Sequence, residues 1–163
     1  MNFTILHVGN PKENYYKEAF AEYQKRIGAF GSLEDIMLKP ALSAGEMNEA
    51  RIREVLLREA EEFREILSLP QYRQAYKVAL CIEGKQMSSE EFAEQIDRCA
   101  VNGKNRIVFL IGGSWGIDEE IKKMCDFRFS FSKMTFAHSL FRVMLAEQLY
   151  RALSILSGGQ YHK

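Results

Sequence analysis

Cysteine is scarce in this chain, limited to Cys81, Cys99 and Cys125. An odd number without a C-x-x-C pair suits neither a disulfide framework nor a thiolate zinc site, and reduced thiols fit a cytoplasmic setting. Histidine is equally sparse: His7, His138 and His162 are too dispersed to spell a metal site, and no serine, histidine and acid arrangement is readable. No metal is therefore expected. A run of about 20 apolar residues is absent, which argues against a membrane-spanning helix. The opening MNFTILHVGN has no basic region and no long apolar core, so it does not read as an export signal. Net charge is missing too, because 22 basic and 22 acidic side chains cancel, so overall charge gives no reason to expect a polyanion partner. No internal repeat or low-complexity segment interrupts the chain.

What remains is a chain of 163 residues, 47% hydrophobic, which is the size and apolar content of one domain spanning 1–163. Its charge is unevenly spread. From Lys122 onward seven basic residues face two acidic ones, a formal +5, which leaves −5 on the first 121 residues. That asymmetry points the C-terminal part toward an anionic partner.

Apolar spacing predicts alternating elements. Asn2 to Val8 reads as a strand closed by Gly9-Asn10-Pro11, and Tyr15 to Ile27 as a helix with one buried stripe. Leu33 to Leu38 follows as a strand, and Glu46 to Leu67 as a long amphipathic helix with a charged outer face. Val78 to Ile82 is a buried strand opening into a loop at Glu83-Gly84-Lys85. Ser88 caps a helix with an acidic first turn that ends near Asn102-Gly103. Ile107 to Ile111 reads as a central strand covered on both faces, Ile117 to Cys125 as a short helix, and Phe127 to Phe131 as a strand. Ser139 to Leu156 closes the series as a long helix whose inner stripe is Phe141, Leu145, Leu149, Ala152 and Leu156. Strands alternating with helices predict an α/β fold with a mainly parallel sheet flanked by helices.

Parallel sheets bind ligands beyond the carboxyl ends of their strands, which singles out Leu80 to Lys85, Leu110 to Gly116 and Phe131 to His138. Gly112-Gly113-x-x-Gly116 permits close backbone approach but is neither a dinucleotide fingerprint nor a Walker loop. The stretch from Phe131 to His138 mixes hydroxyl, cationic and apolar groups just before a helix whose first N–H groups are free; Ser132 and Thr135 also suit a turn or cap. His7 reads as a sheet histidine, whereas His138 and His162 are placed for proton transfer or anion contact. Residue chemistry alone leaves the ligand unnamed.

The motifs LCIEGKQMSSEEFA (80–93), FLIGGSWG (109–116), FSFSKMTFAH (129–138), FRVMLAEQLYRA (141–152) and the terminal YHK (161–163) closely resemble the ribosomal RNA large subunit methyltransferase H family. The likeness extends to ILHVG at the start and to EYQKRI (22–27). It implies a SPOUT-type α/β fold with a C-terminal trefoil knot in the region of about 78–163, a homodimer, and S-adenosyl-L-methionine as methyl donor. It also implies methylation of N3 of a pseudouridine in helix 69 of 23S ribosomal RNA, with the assembled 70S ribosome as substrate. Carried over by position, the cofactor contacts fall on Leu80, Gly112, Phe131, Ser132, Lys133, Met134, Thr135 and Phe136. His138, Arg142, Tyr161 and His162 are the candidates for proton transfer, orientation and charge stabilisation. The sequence departs from many relatives at Ala137, where a proline precedes the histidine, and at the variable Ser114-Trp115. Two other readings stand beside this one: a SPOUT enzyme with a different target such as transfer RNA, and a non-catalytic RNA-binding ribosome-assembly factor.

Overall fold

The computed structural model describes all residues from Met1 to Lys163. Five strands form one parallel sheet in the order β2-β1-β4-β3-β5: β1 (Asn2–Val8), β2 (Ser32–Leu38), β3 (Tyr76–Gln86), β4 (Arg106–Ile111) and β5 (Phe127–Ser130). Parallel neighbours cannot be joined by hairpins, so each connection carries a helix. These are α1 (Asn14–Ile27), α2 (Glu49–Ser68), α3 (Ser89–Val101) and α4 (Glu119–Lys123), and α5 (His138–Leu156) follows the last strand. A 3-10 turn at Pro70–Tyr72 precedes β3. No helix is long and apolar enough to cross a membrane.

Strand side chains alternate between the two faces. Phe3 and Ile5 of β1, Val78 and Leu80 of β3, and Ile107, Phe109 and Ile111 of β4 meet α1, α3 and α5 in one core. Leu6, Val8, Ala79, Val108 and Leu110 point the other way, onto Ala60, Phe63 and Leu67 of α2 and Ile121 of α4. Burying a side chain of this size contributes about 1.5–3 kcal/mol, so the two cores hold the strand ends in fixed register.

Helix starts follow from local chemistry. Ser88 caps α3 in a reciprocal box with Glu91, and Asn48 accepts the N–H of Arg51 at the start of α2, three residues later than the apolar pattern suggested. Two expectations need correction. The strand predicted from Val78 to Ile82 runs from Tyr76 to Gln86, because after a register shift between Leu80 and Lys85 it pairs again with β5. Leu156 is 44% exposed and does not belong to the inner stripe of α5. That helix is instead buried on a broader front that includes Ala146, Leu153 and Ser154, since both α1 and α3 pack on it.

Candidate active site

The loops after β4 and β5 meet β3 at its register shift, and with Leu80 to Glu83 they enclose a cavity of about 490 Å³. Seven of the eight sequence-predicted cofactor positions line it: Leu80, Gly112, Phe131, Ser132, Met134, Thr135 and Phe136. Lys133 does not; it sits in the same loop but is exposed. Cys81, Ile82, Glu83, Trp115, Ile117, Lys122 and Phe141 complete much of the wall. Lys122 and Phe141 were not legible as site residues, since one reaches in from α4 and the other is shared with the helix core. Lys122 pairs there with Glu83, whose carboxyl is held below its usual range mainly by that hydrogen bond.

The loop after β5 is built by its own side chains. Ser130 Oγ donates to the carbonyl of Ser132 at 2.9 Å, and Ser132 Oγ accepts the N–H of Met134 at 3.0 Å, so Ser132 shapes the turn as well as lining the cavity. Phe136 stacks nearly parallel on Phe141 at 6.2 Å between centroids, and Phe131 meets Phe141 edge-on at 4.7 Å. Met134 is 70% exposed at the rim. The N-cap of α5 is Ala137, which makes no side-chain cap, so the first N–H groups of that helix are not satisfied by a cap side chain. Gly112 is required by the turn itself: a β-carbon there would stand 2.2 Å from the carbonyl oxygen of Gly116.

His138 borders the cavity at the first residue of α5. Burial, and to a lesser degree the neighbouring His7, lower its pKa and favour the neutral imidazole. Arg142, one turn further on, is turned inward with 4% exposure, paired with Asp35 of β2 and lying 4.3 Å over the ring of Phe20. His7, the expected sheet histidine, is buried with its Nε2 3.2 Å from the same aspartate. Arg142 as placed clamps the start of α5 to β2 and is not open to a phosphate.

Tyr161 and His162 lie elsewhere in the chain's own fold. Gly158 and Gly159 turn the tail back along α5, where Tyr161 donates to Glu147 Oε1 at 3.1 Å and meets Tyr150 edge-on at 4.8 Å. Burial and the hydrogen bond with Tyr23 raise its pKa. His162 Nε2 lies 2.9 Å from Glu90 Oε1. With 1.5 Å of rise per residue, Glu147 is roughly 14 Å along the helix from His138, so one copy of the chain does not bring the tail to the cavity.

A family model described as "Predicted SPOUT methyltransferase" matches residues 1–162. The chain belongs to the SPOUT methyltransferase family. Among curated proteins it is 42% identical over 163 residues to ribosomal RNA large subunit methyltransferase H of Bacillus thuringiensis (strain Al Hakam), with both chains covered completely. It is 40% identical, again over the full length of both, to the protein of the same name from Exiguobacterium sp. (strain ATCC BAA-1283 / AT1b). Among solved structures, a probable methylase family protein from Haemophilus influenzae Rd KW20 superposes with a TM-score of 0.52 at 11% identity, covering 99% of this chain and 70% of that one, a likeness of fold alone.

Proposed function

We propose that this SPOUT methyltransferase uses S-adenosyl-L-methionine to methylate N3 of a pseudouridine in helix 69 of 23S ribosomal RNA, on the assembled 70S ribosome and as a homodimer. In this reading the segment from about 78 to 163 is the knotted cofactor-binding region. The observation that carries the proposal is convergence: seven positions chosen from separate motifs line one cavity, and His138 stands at its edge. Full-length identity to proteins named as ribosomal RNA methyltransferases supports the choice of substrate.

The cavity suits the cofactor's chemistry. Leu80, Met134 and Phe136 offer apolar surface to an adenine ring, and the glycine turn and the uncapped start of α5 offer backbone N–H groups to polar atoms. Bound there, S-adenosyl-L-methionine supplies an electrophilic methyl group on sulfur. The protein's task is then to hold the acceptor nitrogen in line and to remove its proton. The neutral imidazole of His138 is the base: one of its ring nitrogens would accept the imide N–H proton, freeing the nitrogen lone pair for a methyl group whose bonding electrons would stay on the cofactor's sulfur. Arg142 and Asp35 fix the helix turn that carries it.

Tyr161 and His162 enter through the homodimer, a second copy placing its tail over this cavity. Support comes from a concavity of about 600 Å³ on the helical face, where Tyr23, Met87, Phe131, Val143 and Met144 form an apolar surface beside the tail. Pairing two C-terminal segments of charge +5 also offers an RNA a basic groove that the neutral whole chain lacks.

Isothermal titration with S-adenosyl-L-methionine tests the cofactor assignment. The expected result is saturable binding that Phe136→Ala weakens about tenfold or more, the scale of losing one buried aromatic contact. Absence of binding by the wild-type chain would leave the non-catalytic RNA-binding reading in its place.

A further inference from the structure

A second, smaller cavity of about 240 Å³ adjoins the first. The two share Gly113, Ser114, Trp115 and His138, so one imidazole and one turn border both. The smaller cavity opens at the ends of β1 and β4, against Val8, Gly9 and Gly113. This is the topological switch point of the sheet. After β1 the chain crosses to the face of α1, and after β4 to the opposite face of α4, so the loops part and leave a crevice.

Its lining is selective. No lysine or arginine contributes, so the cavity does not suit a phosphate. Leu42, Met47 and Val55 make apolar surface, and Trp115, the only tryptophan of the chain, lines the cavity and stands 46% exposed. The one charged group is Glu59 of α2, 5% exposed. Its Oε1 accepts the N–H of Ala41 at 3.4 Å, the N–H of Gly113 also supports the carboxylate, and Oε2 has no partner. A buried acceptor without a partner is costly and calls for a donor to complete it. The volume is below that of drug-sized ligand sites, which fits a single flat ring.

We infer that this switch-point cavity receives the methyl-acceptor base, a neutral pyrimidine-type ring turned out of the RNA, stacked on Trp115 and satisfied at an N–H on its far edge by Glu59. The inference rests on the methyltransferase reading above and locates its second substrate. The two cavities meet along His138 and the Gly113–Trp115 turn, so a base held here lies next to the cofactor cavity with the proton-accepting imidazole at its side. Taking a base out of its stack is unfavourable, and stacking on an aromatic side chain offsets part of that cost.

Two variants test this without touching the cofactor cavity. Ser43 lines only the smaller cavity, so Ser43→Phe fills it. Glu59→Gln keeps the shape but changes the chemistry: its amide oxygen must stay on the two backbone N–H donors, so the amide N–H₂ replaces the free acceptor. Affinity for S-adenosyl-L-methionine by calorimetry and single-turnover methyl transfer to ribosomes are measured on the same preparations. Both variants are expected to bind the cofactor within about twofold of wild type and to transfer methyl about tenfold or more slowly. Unchanged transfer in both overturns the inference. A loss of cofactor affinity that matches the loss of rate also overturns it, since the cavity then belongs to the donor. A wild-type chain that binds no S-adenosyl-L-methionine overturns the methyltransferase reading itself, and the wild-type titration separates that failure from the other two.

Discussion

His138 packs its imidazole edge against the backbone of Gly9, so closely that a β-carbon at position 9 would stand 2.7 Å from Nε2. Gly9 also has φ +107°, where side chains are strained. The end of β1 therefore sets where the histidine of α5 can lie. Gly9→Ala is expected to displace the ring, lowering single-turnover methyl transfer while cofactor affinity by calorimetry stays near wild type. It should also lower stability by about 1 kcal/mol or more, read as a fall in Tm. Full activity at wild-type Tm would show that this contact is dispensable.

The pH dependence follows from the burial of His138. Its pKa is lowered from 6.5, so the free base persists below that value and the acid limb of the rate profile should fall at a pH under 6.5. The same shift affects stability. The unfolded chain binds this proton before the folded one does, so stability is present above pH 6.5 and is lost as pH falls from there through the folded pKa. His138→Gln should remove both effects. A rate profile with its acid limb above 6.5, or unaltered by His138→Gln, would dismiss the histidine as base.

Two cations that look alike in sequence should behave differently. Arg142 is buried on Asp35, whereas Lys133 is exposed in the cavity loop. Asp35→Ala leaves a guanidinium buried without its partner and is expected to cost roughly 3 kcal/mol in denaturant unfolding. Lys133→Ala should leave stability unchanged and flatten the salt dependence of RNA binding. The reverse assignment of effects would mean that Arg142 turns outward in the complex.

Glu59 gives a stability test of its own. Burial raises its pKa from 4.5, against the opposing hydrogen bonds from Ala41 and Gly113. The folded state then holds this proton longer than the unfolded state, so its contribution is present below pH 4.5 and is lost as pH rises through the folded pKa. Glu59→Gln should accordingly gain Tm relative to wild type at neutral pH and show a smaller difference at pH 4.5. Equal differences at both would remove the burial argument.

Much of this architecture was legible because period-2 and helical apolar patterns stop at capping or glycine chemistry, as at Ser88, Asn102-Gly103 and Gly112. The loops after β4 and β5 that line the larger cavity were legible because residues just past the strands of a parallel sheet gather at one edge of it. What stayed hidden depends on tertiary placement. The spacing of Arg142 after His138 puts both on one helix, but only the packed fold shows the first facing Asp35 and the second facing two cavities. Glu59 lies among alternating Glu and Arg on α2 and reads as a solvated charge, yet it is buried because α2 crosses beneath the glycine turn. The tail motif Tyr161-His162 looked like part of the site, and within one copy it rests on Glu147 and Glu90 instead.

The central claim is methyl transfer to one ribosomal base. Single-turnover reactions with methyl-labelled S-adenosyl-L-methionine and unmethylated 70S ribosomes, isolated subunits, naked 23S RNA and transfer RNA, followed by mass mapping of the modified nucleotide, test it most directly. The expected result is label on 70S ribosomes, at N3 of a pseudouridine in helix 69, formed much more slowly with His138→Gln. Label on transfer RNA, or on none of the substrates while the cofactor is bound, would contradict it.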